Sequence, residues 1–432
     1  MNITKLEAII FGVVVVLVGI AFFFFSGISG VGVEKNRVPV TIWGTFPSSF
    51  FRSAIDEING DRDQQFVQIQ YIQKSAQIYE TEFLNALAAG KGPDIALIPQ
   101  YFIVKHTDKI LPIGQQFIAP RAFQQTFIDG AAIFTGPAGT LAVPLIVDPL
   151  VLYWNTDLFR NAGIANPPGF WDEFLTDSGA LTSTGAEGTF RQSGAALGET
   201  NNVPHAKDVL ALLILQTGNP LVDPLNRTVI FNRKGTLPFS PAESAFRFFT
   251  DFSNPRNAAY SWNSTQLRAD EAFVAGKLAM YIAPASEYTA LRNRNAHLAM
   301  DVSGVPQVRG GALRATYADI SGLAITRNAA DPAAAWRAIA LLTGDGAVAN
   351  IATASNLPPV RKDVLSRDTT NPIGTVFYRA AVQSRSWPDP DDDATDNLFA
   401  QAVAAINSGK QDIASAITEL ASRLQELLRQ NP

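Results

Sequence analysis

The sequence predicts an α/β protein with a mostly parallel sheet, preceded by one membrane-spanning segment. Three observations predict it. Val38 to Thr45, Phe66 to Ile72 and Asp94 to Ile98 read as strands, separated by helical stretches at Phe50 to Asn59 and Tyr79 to Ala89. That βαβαβ order is how parallel sheets are built. The composition, 47% hydrophobic and 17% charged, describes a globular chain with a large core. Finally, Ala8 to Val33 carries no charged residue, and its Ile9 to Phe25 part is dominated by Val, Ile, Leu and Phe.

Each element has a local cause. Eighteen or more apolar residues can cross a bilayer at about 1.5 Å per residue, whereas the apolar core of a cleaved signal is about 7–15 long. The segment therefore reads as an uncleaved anchor, although Gly27-Ile28-Ser29 has the small residues of a cleavage site. Lys5 and the amino terminus lie on one side and Lys35 and Arg37 on the other, so flanking charge does not orient it. Ser26 to Arg37 is a tether. Pro47-Ser48-Ser49 can start the first helix, and Gly90 stops the second.

Leu141 to Ile146 is an apolar, β-branched run interrupted by Pro144, and Leu150 to Trp154 resumes it after Asp148. This reads as strand, acidic crossover, strand. Asn155-Thr156-Asp157 caps a short helix that Gly163 closes, and Pro167-Pro168 breaks the chain before a helix beginning at Trp171. Further on come helices at Val209 to Gln216 and Ala242 to Phe252, a helix–turn–strand at Glu271 to Ile282, and a strand at Ile320 to Thr326. Helices at Asp331 to Leu342, Leu398 to Asn407 and Ile413 to Leu428 complete the chain.

Composition also excludes functions. A net charge of −5 and no Lys/Arg run give no basis for nucleic-acid binding. The absence of Cys removes thiol catalysis, disulfides and a lipidated anchor. No G-x-S-x-G, H-E-x-x-H, Walker A or G-x-G-x-x-G sequence occurs, and His106, His205 and His297 lack ligand spacing. Asp389, Asp391 and Asp393 imitate a calcium loop, but Ala394 stands where Gly is needed and Ala400 where Glu is needed. A solvated acidic loop is the expectation there, and no cofactor or metal is expected.

Leu152 to Phe159, Ala162-Gly163-Ile164, Pro167-Pro168 and Trp171-Asp172-Glu173-Phe174 resemble the family 1 extracellular solute-binding proteins, the maltose/sugar-binding type of ABC importer component. Gly90 to Ile95, Glu271 to Ile282 and Asn356 to Val364 add to the likeness. Trp154 and Phe170 depart from the pattern. The resemblance implies a two-lobed periplasmic-binding-protein-like fold with three crossing segments. Asp148 would stand at the first crossing, with the others near Met300 to Val305 and Thr326 to Asp331. The division it implies is anchor and tether 1–33, lobe 1 at 34–147 plus 303–327, and lobe 2 at 148–302 plus 328–432. Ligands of open α/β sheets bind beyond the carboxyl ends of strands.

The candidate ligand contacts follow from that rule and the resemblance. Trp43 and Phe46 offer aromatic faces for sugar rings, and Ser48 and Ser49 offer amide donors at a helix start; core packing is the alternative for the rings. Gln100 and Tyr101 follow the third strand. Asp148, between Val147 and Pro149, is costly to bury without donors. Sugar hydroxyls would supply them, or else hinge N–H groups would. Asn201 and Asn202 lie in a polar loop with His205. Ser286 and Tyr288, Tyr317 and Asp319, and Trp387 complete the set. Asp396-Asn397 replaces an aromatic common in the family, which argues against a maltose-like stack.

The function implied is a monomeric, single-pass cell-membrane protein whose extracytoplasmic part captures a small polar solute, a sugar or oligosaccharide, and delivers it to an ABC permease. It would not be an enzyme. Two alternatives stand beside this reading: a surface carbohydrate-acting enzyme using paired carboxylates such as Asp148 with Asp319 or Glu287, and a sensor or adhesin on the same fold.

Overall fold

A computed structural model describes residues 37–430, apart from 65, 186–187, 224–226, 235–239, 312, 368 and 370. The anchor and tether expected over residues 1–33 lie outside the described residues.

Strand β1 (Val38–Gly44), helix α1 (Ser49–Gly60), strand β2 (Val67–Gln73), helix α2 (Tyr79–Ala88) and strand β3 (Ile95–Pro99) follow in the expected order. β1 lies between β2 and β3 and runs parallel to both. β3 is buried from Ile95 through Ile98, as an unbroken apolar run inside a covered sheet should be. Helix α3 (Gln100–Lys105) starts directly at its end.

The remaining main strands are β4 (Val143–Asn155), β5 (Phe190–Ala195), β6 (Leu278–Pro284), β7 (Met300–Gly304) and β8 (Thr316–Ile325). Their order in the sheet is β2-β1-β3-β8-β4-β6-β5, with β7 also on β4. β2, β1 and β3 are mutually parallel, as are β6 and β5, and the middle is antiparallel, where β8 pairs β3 and β4, and β6 and β7 pair β4. The mostly parallel sheet expected from the βαβαβ run is therefore a mixed one.

The expected strand, crossover and strand between Leu141 and Trp154 are one strand, β4. Its prolines are accommodated locally. Pro144 partners Gly322 where the β8 register shifts, so the missing N–H falls at a bulge. Gly322 leaves room there, because a Cβ would come within 2.9 Å of the Ala142 Cβ. The Pro149 carbonyl accepts the Ala285 N–H at 2.9 Å. Beyond β4, Asn155 Oδ1 accepts from the N–H groups of Asp157 and Leu158 at 3.1 and 3.2 Å, starting helix α4 (Thr156–Asn161), and Gly163 ends it at φ +74°.

β4 changes neighbours midway. Val143–Pro149 pair with β8, and Val151–Asn155 pair with β7 on that side while Leu150–Trp154 pair with β6 on the other. Around this hand-over the chain forms the two lobes of the fold. Helix α5 (Trp171–Leu181) packs on β5, and α6 (Ala206–Leu215) packs toward β8. Helix α7 (Glu287–Arg294) follows β6. Helices α8 (Pro332–Leu342) and α9 (Asp345–Ser355) return to the β1–β3 end, α8 against β1 and β2 and α9 against α1. Helices α10 (Asp392–Asn407) and α11 (Ile413–Gln430) pack on each other and on α6 and the helix Pro241–Asp251.

Candidate functional site

Asp148 occupies the hand-over point on β4, and its register partner is Asp319 on β8. Cross-strand partners stand on the same face of a sheet, so the two carboxyl groups are neighbours, and like charges so placed repel. Tyr317 to Asp319, which the sequence places ahead of a strand beginning at Ile320, lie inside β8.

The surroundings divide the pair. Gln100, only 1% exposed at the start of α3, donates through Nε2 to Asp319 Oδ1 at 2.7 Å and accepts the Ile320 N–H at 2.7 Å. The buried Tyr317 hydroxyl donates to the same Asp319 oxygen at 2.9 Å. On the other side, the Ser286 N–H at the start of α7 donates to Asp148 Oδ1 at 2.9 Å. Burial pushes the Asp148 carboxyl up to about 6 against the pull of Ser286 and His205. Burial, with Asp208 nearby, pushes Asp319 up to about 7 despite the donors Gln100 and Tyr317.

His205 lies beside this group. Its Nε2 is 2.6 Å from Glu287 Oε1 and its Nδ1 is 3.5 Å from Asp208 Oδ2. Burial pulls the imidazolium down, but the two carboxylates outweigh it and hold the ring charged, up to about 10. The Tyr281 hydroxyl donates to the other Glu287 oxygen at 3.0 Å. The start of α7, with its Ser286 donor, is thereby fixed.

The acidic stretch near Asp389 is not the expected solvated loop. Asp389 is 1% exposed, and its Oδ2 accepts from Lys207 Nζ at 2.9 Å. Lys207 also donates to Asp392 Oδ1 and to Thr395 Oγ1. Trp387 is 1% exposed, with its indole N–H unpartnered among the described residues. Among the described residues no group of three or more His, Asp or Glu is placed to hold a metal.

The structure therefore brings Gln100, Asp148, Ser286, Tyr317 and Asp319 together. Tyr101 is half-buried beside them, where burial, then Asp392 and Asp319, push its hydroxyl pKa upward. Trp43, Phe46, Ser48 and Ser49 form a second group at the carboxyl end of β1. Lys74 Nζ lies 3.8 Å from the Trp43 ring centre, the Phe46 carbonyl accepts from the Tyr71 hydroxyl, and the Ser48 N–H donates to Gln73 Oε1 at 3.1 Å. Ser49 and Asn201 are exposed. Asn202 has a structural role: its Nδ2 donates to the carbonyls of Asn263 and Gln266, and its Oδ1 accepts from Trp262 Nε1 at 3.0 Å. Tyr288 packs edge-on against Phe377. A surface groove of about 300 Å³ between α10 and α11, lined by residues such as Ala402, Leu420 and Arg423, contains none of these residues.

Sequence reasoning missed Lys207 and Asp392, which pair across 185 positions of the chain, and Asp208, which faces His205 one helical turn away. It passed over His205 as a lone histidine, because nothing local shows that Glu287 completes it.

Comparison with known proteins agrees with this architecture. A family described as bacterial extracellular solute-binding protein matches residues 53–373. A binding protein of Brucella abortus (strain 2308) is 22% identical over 358 residues, covering 79% of this chain and 81% of that relative, and one of Brucella suis biovar 1 (strain 1330) matches equally. Among solved structures, the cyclic alpha-maltosyl-1,6-maltose binding protein from Arthrobacter globiformis superposes with a TM-score of 0.76 at 17% identity, covering 91% of this chain and 100% of that one. A cyclo/maltodextrin-binding protein gives 0.72 at 17% identity, covering 91% and 98%. The GacH receptor of Streptomyces glaucescens gives 0.68 at 19% identity, covering 91% and 99%. These likenesses establish the two-lobed fold.

Proposed function

The chain belongs to the bacterial extracellular solute-binding protein family, and we propose that it captures a sugar or oligosaccharide between its lobes without altering it. The observation that carries this is the Asp148–Asp319 pair at the strand hand-over, flanked by Gln100, Tyr317 and the Ser286 N–H. Two carboxylates on one face accept hydrogens from adjacent hydroxyls, and charge-assisted hydrogen bonds of this kind are the strong ones. A polyhydroxylated neutral solute supplies such donors. Solved neighbours hold maltotetraose, acarbose and mannotriose, which supports the same class.

We draw the lobes by packing. One holds β1–β3, α1–α3, α8, α9 and the first half of β4; the other holds β5–β7, α4–α7, α10 and α11. This moves α8 and α9, which a boundary at residue 328 gives to the second lobe, into the first. Solute touching both lobes favours their closed arrangement by its differential affinity. The closed form of a monomer, held at the outer face of the cell membrane by residues 1–33, then hands the solute to an ABC permease.

A thermal-shift screen of the full-length protein against saccharides, polyamines and anions tests the solute class. A saccharide at 100 times its Kd stabilises the fold by about 2.7 kcal/mol. Stabilisation by an anion or polyamine alone overturns the proposal.

A further inference from the structure

Lys105, the last residue of α3, reaches two carboxylates on different parts of the molecule. Its Nζ lies 2.8 Å from Glu80 Oε1 on α2 and 2.7 Å from Oδ2 of Asp391, the residue that caps α10. In the lobe division proposed above, α2 and α3 belong to one lobe and α10 to the other, so the Lys105–Asp391 pair spans the two. The inference below rests on that division.

Both ends of the pair are fixed before they meet. Glu80 is also held by His106, whose Nε2 lies 2.9 Å from the same Oε1. Asp391 Oδ1 accepts the Ala394 N–H at 3.0 Å, which leaves Oδ2 for Lys105. The adjoining Asp389 and Asp392 are anchored on the buried Lys207, so the start of α10 is tied to its own lobe. Fixed partners lose little side-chain entropy on pairing, which is the main reason most surface pairs contribute little. The Lys105 and Asp391 side chains are 28% and 24% exposed, so salt screens them only in part.

We infer that Lys105 and Asp391 form an electrostatic latch that biases the two lobes toward closure, and that this bias is a component of solute affinity. The second part follows from population arithmetic: if only the closed fraction binds productively, the apparent Kd is the intrinsic Kd divided by that fraction.

The test uses the full-length protein, whose lack of Cys allows clean labelling. Dyes at Ser53→Cys on α1 and Ser422→Cys on α11, both exposed, report the interlobe distance by single-molecule energy transfer. D391N removes the charge and keeps a good helix cap; K105M removes the ammonium and keeps the stem. In wild type the distance should lengthen between about 10 mM and about 1 M NaCl, as the screening length shortens from about 30 Å to about 3 Å. Both variants should show the longer distance already at low salt and respond little to added NaCl. Their apparent Kd for any bound saccharide should rise about two- to ten-fold at low salt. A low-salt distance equal to wild type in either variant overturns the latch. The solute reading fails separately, if maltotetraose, mannotriose and acarbose all leave the wild-type distance unchanged while the salt response persists.

Discussion

Asp148 on β4 and Asp319 on β8 are register partners, placing two carboxyl groups side by side where β4 exchanges one neighbouring strand for another. Such an arrangement opposes folding at neutral pH, since burial disfavours ionisation of both carboxyls, reinforced by Glu287 at Asp148 and by Asp208 at Asp319. The sequence neighbours of Asp319, Ala318 and Ile320 on the opposite face of β8, are apolar and buried.

The first consequence is a pH dependence of stability. Both carboxyls lie above their usual value, Asp148 at about 6 and Asp319 at about 7, so the folded state binds their protons more tightly than the unfolded one. Their contribution is most favourable below about pH 4 and declines as pH rises through about 7. Carboxylates held low, such as Glu80 and Asp391, act in the opposite sense and lose their contribution on acidification. The difference between wild type and D319N isolates the effect. Urea denaturation should show D319N gaining on wild type by on the order of 2–4 kcal/mol between pH 4 and pH 8, at about 1.4 kcal/mol per pKa unit. A difference that does not change with pH would refute this.

Gln100 satisfies two buried partners at once, Asp319 and the Ile320 N–H. Q100A leaves the Ile320 N–H unpaired and Asp319 with only the Tyr317 hydroxyl as donor, and should cost about 1–3 kcal/mol in the same assay. Q100E, able to donate and accept only while protonated, should resemble wild type near pH 4 and fall toward Q100A near pH 8. Equal stability of Q100A and wild type would show that water replaces these bonds.

Lys207 is 4% exposed and pairs with Asp389, itself 1% exposed. Removing one member of a buried pair strands the other, so K207M should cost about 3–5 kcal/mol. Adding D389N to K207M should recover part of that loss, because the stranded carboxylate is gone. No recovery would mean that Lys207 acts mainly through Asp392 and Thr395.

Much of the scaffold was legible because its causes are local. Asn155 caps α4 through its own side chain, Gly163 adopts φ +74°, and the order from Val38 to Pro99 follows the alternation of apolar runs. Pro144 and Asp148 misled in the other direction. They read as an interruption and a crossover, yet a bulge opposite Pro144 and pairing of Asp148 with Asp319 keep β4 continuous, and both depend on a strand more than 150 residues later. The acidic patch was illegible for the same reason: Asp389 looks solvated until Lys207, 182 residues earlier, is seen beneath it. Asp148 was legible as a carboxylate in apolar company, but its pairing with Asp319 was not, because register is a property of two strands.

Calorimetric titration of the full-length protein with the saccharide that stabilises it most tests the central claim directly. The expected trace saturates at one solute per chain, with each injection returning to the baseline, and D148N weakens the binding at least about tenfold, corresponding to about 1.4 kcal/mol. Unsaturable heat flow from continuing turnover, or undiminished binding in D148N, would contradict the account.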